Sequence, residues 1–227
     1  AVGETVIDTG GAGADTETGG ANINMIPREG SNSFAAKGII AYTNENFASG
    51  KVSDALIARG SADDVQYMRK VYDYGVSLGG AFVQDKFWYF GAARFWGGDT
   101  YAANNHFDKS GTPYAYEADL DNRAYGNTYI RDGSTRFSFQ ASEKHKLVFG
   151  LTVQRGCNCW LVIGFGVPSA PRNATSFTYT HGEGGGHGMI LNQYEWVYPA
   201  SNNLLFQAGA SFLIQQVGFG NSGLEQR

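Results

Sequence analysis

The sequence predicts an all-β fold built from antiparallel hairpins, and three observations predict it: composition, side-chain alternation and the lengths of the connections. Glycine supplies 32 of 227 residues, about twice the usual share of roughly 7%. Aromatics make up 14%, charged residues only 17%, and proline occurs five times. Many rings and glycine turns with little proline suit strands rather than helix bundles or disorder. A net charge of −4 argues against a nucleic-acid partner held by bulk positive charge. No run of 18 apolar residues occurs. That excludes a helical membrane span, but not strands that cross as a barrel.

Taken in order, residues 34–43 (FAAKGIIAYT) read as a strand. Residues 44–73 are a long polar stretch in which Ser53-Asp54 caps a short helix over 54–59 and Asp63-Asp64 starts another over 64–72. Residues 74–83 and 87–96 form a hairpin around Gln84-Asp85-Lys86. A second long segment, 97–133, is rich in Asn, Asp, Gly and Tyr. Residues 134–141 and 146–154 make a hairpin around 142–145, and a third long segment covers 155–188. The last hairpin joins 189–198 to 204–214 through Pro199-Ala200-Ser201-Asn202-Asn203. The count is seven long strands.

Connections therefore run long, short, long, short, long, short. Loops beyond about 12–15 residues are uncommon in compact folds, whereas outer-membrane barrels pair short periplasmic turns with long extracellular loops. Alternation is clear within the strands. Arg136, Gln140, Gln154, Glu195 and Gln207 share one face, expected to line a lumen, and Phe137, Phe139, Phe149, Phe206 and Phe212 share the other, expected to meet lipid. A charge at Phe149 is expected to cost far more than one at Thr152. A soluble sandwich gives the same alternation with its apolar face inward, so periodicity alone does not choose. Phe87, Trp88, Tyr89, Tyr194, Trp196 and Tyr198 crowd the short-turn ends, as an interfacial aromatic girdle requires.

Residues 16–32 differ in character: a short alternating strand between glycine turns, closed by Pro27 and Gly30. This passage resembles the end of the plug domain in TonB-dependent outer-membrane receptors, especially the large Oar-like group. There the pattern E-x-G-G-x-x-I-N-x-I-P-[RK]-x-G-[GS]-N-x-[FW] leads from plug into barrel. It is met here by Glu17, Gly19, Gly20, Ile23, Asn24, Ile26, Pro27, Arg28, Gly30, Asn32 and Phe34. The stretch 54–60 is similar to that group's first extracellular loop. Gly79-Gly80, Asp85 to Phe90 and Ala93-Arg94 are similar to its first periplasmic hairpin, and Asn202 to Gly209 to a later turn and strand.

The resemblance implies a portion of a large barrel of the 22-stranded type in a bacterial outer membrane. Residues 1–32 would be the C-terminal end of the plug domain. Residues 33–227 would be the first seven barrel strands, with long loops at 44–73, 97–133 and 155–188. It also implies energised uptake of a substrate, of siderophore, glycan or peptide class, with TonB as partner of the full-length protein. Seven strands leave two open edges, which lipid does not tolerate. The remaining barrel strands or a partner chain are therefore expected. The alternative function is a non-transporting structural or interaction subunit built from a truncated barrel, and a soluble carbohydrate-binding module ranks behind both.

Few residues carry chemistry. Cys157 and Cys159 share a face of an extended segment and either close a local disulfide or remain free thiols. The four histidines (His106, His145, His181, His187) lie in separate segments, so no metal or cofactor is expected. No G-x-S-x-G, H-E-x-x-H or P-loop spacing occurs, and no enzyme activity is expected. Tyr101, His106, Tyr114, Tyr116 and Tyr125 are the loop side chains placed to touch a ligand, since Tyr offers stacking area and a hydroxyl. Packing within the loop is the competing role.

Overall fold

The structure is a computed structural model and describes residues 2–8, 21–48, 52–62, 65–110, 115–159, 175–178 and 188–221. It is almost entirely antiparallel β. Strands β1 (Val2–Asp8) and β2 (Asn22–Pro27) pair with each other as a two-stranded sheet. The second sheet contains β3 (Ala35–Asn44), β4 (Tyr67–Val83), β5 (Phe87–Asp108), β6 (Ala118–Gln140), β7 (Lys146–Cys159), β8 (Thr175–Thr178), β9 (Met189–Ser201), β10 (Leu204–Gln215) and β11 (Gly218–Asn221). Its main path is β10-β9-β7-β6-β5-β4-β3, a meander of seven strands, while β8 pairs with β7 and β11. The seven long strands expected from alternation are these seven.

Short connections behave as the sequence requires. Asp85 adopts a φ of 59° in the β4–β5 turn, which is closed by the Lys86 amide donating to the Val83 carbonyl at 3.2 Å. Asp is among the few non-glycine residues that tolerate this region. The β6–β7 turn is closed by the Ala141 amide on the His145 carbonyl at 2.8 Å. In the last hairpin β9 runs on to Ser201, leaving Asn202 and Asn203 as the turn.

Long connections are shorter than composition suggested. The helix over 54–59 is a single turn, α1 (Asp54–Ile57). The helix expected over 64–72 is overturned, because β4 begins at Tyr67 and pairs Tyr67 with Tyr101 and Lys70 with Asp99. A local cap yields here to cross-strand pairing of aromatic and β-branched residues. Likewise the loop boundaries 44–73, 97–133 and 155–188 give way to strand. β5 and β6 are 22 and 23 residues long, about twice the 9–11 needed to cross a bilayer. The polar residues of these extensions pair across the strands, as Asp99 with Asn127, so polar composition there says nothing against strand.

Pairing fixes the faces. Directly opposed residues share a face, and neighbours in a strand alternate. Arg136 lies opposite Phe90 and Gly150, Gly150 opposite Gln193, and Gln193 opposite Ser211. Arg136, Gln140, Gln154, Glu195 and Gln207 consequently share one face. Phe137, Phe139, Phe149, Phe206 and Phe212 share the other. A row of rings spans the apolar face near the short turns. Phe82 meets Phe87 (5.1 Å) and Tyr89 (4.4 Å), Phe87 meets Phe137 and Phe139, Phe137 meets Phe149, Phe149 meets Tyr194 (5.3 Å), and Tyr194 meets Phe212. His145 stacks on Trp196 and Tyr198, and Tyr198 on Phe206.

Candidate functional site

The charged face of the sheet carries the segment that follows β2. Pro27 borders a recess with Arg136, Gln193, Glu195 and Gln207. Two residues on, the Glu29 carboxylate receives Lys146 Nζ at 2.7 Å and Arg136 at 3.2 Å. Arg136 also reaches Glu195 at 3.4 Å, and the Gln207 side-chain amide donates to Glu195 at 2.9 Å. Two carboxylates and two cations thus form one balanced network that ties residue 29 to β6, β7, β9 and β10. Only 13% of the Arg136 side chain is exposed, so its charge depends on these partners rather than on water.

The segment then reaches the β4–β5 hairpin. Gly30 sits against the backbone of Tyr89 and Gly80, and a Cβ there would come within 2.8 Å of the Gly80 carbonyl oxygen. Glycine is required by this close approach. A Cβ at Gly79 would stand 3.7 Å from the Gly30 Cα and 3.0 Å from the Phe90 ring, which is buried beside Pro27 and Arg28. Asn32 closes the crossing. Its Oδ1 accepts from Trp88 Nε1 at 2.7 Å and from the Asp85 amide at 2.9 Å, while its amide donates to the Asp85 carboxylate.

Burial by itself would push the Glu29 carboxyl up. The hydrogen bond and charge of Lys146, with the charge and hydrogen bond of Arg136, outweigh it and hold the group below its ordinary value. Glu29 stays ionised and the network intact throughout the neutral range.

A second cluster lies at the opposite end of the long strands. Asp99 is 2% exposed and receives Arg69 at 2.7 Å, Lys70 at 3.3 Å and the Asn127 amide. The Arg69 guanidinium lies 4.3 Å from the centre of the Tyr125 ring, and Arg123 lies 4.7 Å from that of Tyr67 and 5.4 Å from that of Tyr101. The Arg123 guanidinium also donates to the carbonyls of Val65 and Ala102. Stacked rings and guanidinium groups join β4, β5 and β6 at this end.

Of the ligand-contact candidates, Tyr101 and Tyr125 meet in this cluster at 6.3 Å, occupied by packing on each other and on arginine. His106 lies opposite Arg123 across β5 and β6. Tyr116 is 44% exposed, and its hydroxyl donates to the His106 carbonyl at 3.0 Å. Tyr114 lies outside the described residues, as do His181 and His187. Cys157 and Cys159 form a disulfide, Cα atoms 5.3 Å apart. Among the described residues no group of three His, Cys, Asp or Glu side chains could hold a metal.

Sequence reasoning missed Glu29 and the Asp99 cluster. Glu29 gave no local signal, because Arg136 and Lys146 lie more than a hundred positions further along the chain. Asp99 gave no signal, because its partners come from strand extensions read as loop.

Fold and site together define an antiparallel β-meander with one apolar face and one charged face that carries the chain's own N-terminal segment. No protein-family model matches the chain, and neither a curated protein nor a solved structure matches it.

Proposed function

We propose that this chain is a portion of a TonB-dependent outer-membrane receptor, comprising the end of the plug and the first seven barrel strands, and that it serves energised uptake of a substrate across the bacterial outer membrane. The observation that carries the reading is which face the chain covers. In a soluble sandwich the apolar face would be packed and the charged face wet. Here residues 27–32 lie on the charged face. Among the described residues the apolar face is left open, with Ile40 at 85%, Phe212 at 61% and Val76 at 53% exposure. A lipid-facing wall enclosing a plug has this polarity.

Two further features support it. The row of rings follows the short-turn end, where a headgroup girdle belongs. Among the described residues β3 and β10 each pair on one side within the main path, as expected where further strands or a partner chain continue the sheet. Substrate would enter from the far end, past the long strand extensions. The network at Glu29 would hold the plug end against the wall until TonB pulls.

Membrane fractionation of cells making the natural polypeptide tests this. Sedimentation with the outer membrane, an intact mass several-fold above that of 227 residues, and uptake that stops without TonB are expected. A protein that stays soluble after lysis would overturn the reading. An outer-membrane protein with the mass of 227 residues alone would replace transport with a structural subunit.

A further inference from the structure

On the apolar face, the β6–β7 pair runs row by row from Phe139↔Leu147 through Phe137↔Phe149, Thr135↔Leu151 and Gly133↔Val153 to Arg131↔Arg155, with no break in register. The last row is anomalous. Like charges directly opposite each other in a sheet are destabilising, and both arginines are exposed. Among the described residues, the groups around them on that face are Phe95, Tyr129, Gly133, Val153 and Cys157, none of them acidic. Arg131 lies 5.9 Å from the Phe95 ring centre and 4.8 Å from that of Tyr129, which positions it without neutralising it.

The height of the pair is informative. Arg131 is eight residues from Phe139 in the aromatic row, about 27 Å along a strand at about 3.4 Å per residue. With a tilt of about 40° this rises about 21 Å, close to the roughly 25 Å height of a barrel's apolar band. The two guanidinium groups therefore stand where acyl chains end and headgroups begin, on the side away from the short turns. Directly below them, Gly91, Ala93 and Gly133 leave a shallow apolar groove of about 420 Å³, bordered by Val76, Leu78 and Val153.

We infer that Arg131 and Arg155 form a docking site for the phosphate of an anionic lipid, whose acyl chain lies in the groove below. A phosphate accepts forked hydrogen bonds from both guanidinium groups and converts their repulsion into a shared attraction. The groove continues the site into the apolar band, which selects a lipid over free phosphate. This inference rests on the membrane-barrel reading above.

The test reconstitutes the natural chain, purified in detergent, into vesicles of phosphatidylcholine with or without phosphatidic acid, then counts retained lipid by native mass spectrometry. Retention of phosphatidic acid over phosphatidylcholine by about thirtyfold is expected, about fivefold from each arginine. The double variant Arg131→Gln, Arg155→Gln should retain both lipids equally, and Arg131→Lys, Arg155→Lys should keep most of the preference. Should the glutamine pair not enter vesicles, the single variant Arg155→Gln, at about a fivefold loss, decides the matter. Equal preference in the wild-type and glutamine forms would overturn the site. So would release of the lipid by inorganic phosphate, which would mark a soluble anion site. Entry of the wild type into both vesicles without preference sinks this inference alone. Failure to enter either takes the membrane reading with it.

Discussion

Arg136 and Phe137 are neighbours in the chain and point to opposite faces of β6, and their surroundings share almost nothing. Arg136 sits among Glu29, Glu195 and Lys146 under the segment that follows β2. Phe137 is one ring in a row between Phe87 and Phe149. The first environment is satisfied within the protein, by charges from three other elements. The second is satisfied only by something outside the described residues, since a single sheet layer cannot bury its own apolar face. The contrast teaches that, among the described residues, this sheet is covered on its charged side and open on its apolar side.

The sharpest way to break that contrast is to place a charge on the open face. Phe149 stands in the aromatic row opposite Phe137, so Leu151, one row further in, is the deeper probe. Leu151→Lys should cost about 2–4 kcal/mol in a bilayer, read as a shift in denaturant midpoint of the reconstituted chain. Thr152→Lys on the charged face should cost less than about 0.5 kcal/mol. Equal costs at both positions would dissolve the distinction between the faces.

Next in size is Gly30→Val. Its added carbons have no space between the backbones of Tyr89 and Gly80, and a loss of about 1–3 kcal/mol is expected. Faster proteolysis within residues 27–33 should accompany it. A protease pattern like that of the wild type would mean the segment is held some other way.

Glu29→Gln keeps the shape and removes the charge shared by Arg136 and Lys146, with about 1–2 kcal/mol lost after solvent screening. The pH dependence has a definite sign. The folded carboxyl lies below its ordinary value, so its contribution is present above that ordinary value and fades as pH falls through the depressed one. The wild type should lose docking of the segment in acid, and the variant should show a flatter profile. A profile unchanged by the substitution would assign the acid sensitivity elsewhere.

Among the changes to the segment after β2, Asn32→Ala should cost least, about 1 kcal/mol for the lost bonds to Trp88 and Asp85. Tryptophan fluorescence should report it, because the Trp88 indole N–H loses its acceptor. No spectral change would mean that water replaces the amide at no cost.

Much of the fold was legible because alternation is a local signal. Phe137, Phe139, Phe149 and Phe206 declared their shared face two residues at a time. The strand extensions were not legible. Residues 97–108 and 118–133 have the Asn, Asp and Gly content of a loop, and what makes them strand is pairing with each other, as in Asp99 with Asn127. The helix expected after Asp63-Asp64 failed for the same reason, since Tyr67 found Tyr101.

The sequence by itself determined seven amphipathic strands, their order along the chain, the short turns and the two sets of side chains that would share a face. Each follows from side-chain period and turn chemistry, which act over a few residues. Only the tertiary structure decided which face the N-terminal segment covers, how far the strands run and which charges meet. Glu29 lies more than a hundred positions from Arg136 and Lys146. A contact of that span is set by register accumulated across several strands and by the close approach of Gly30 to the hairpin, neither of which any local pattern records.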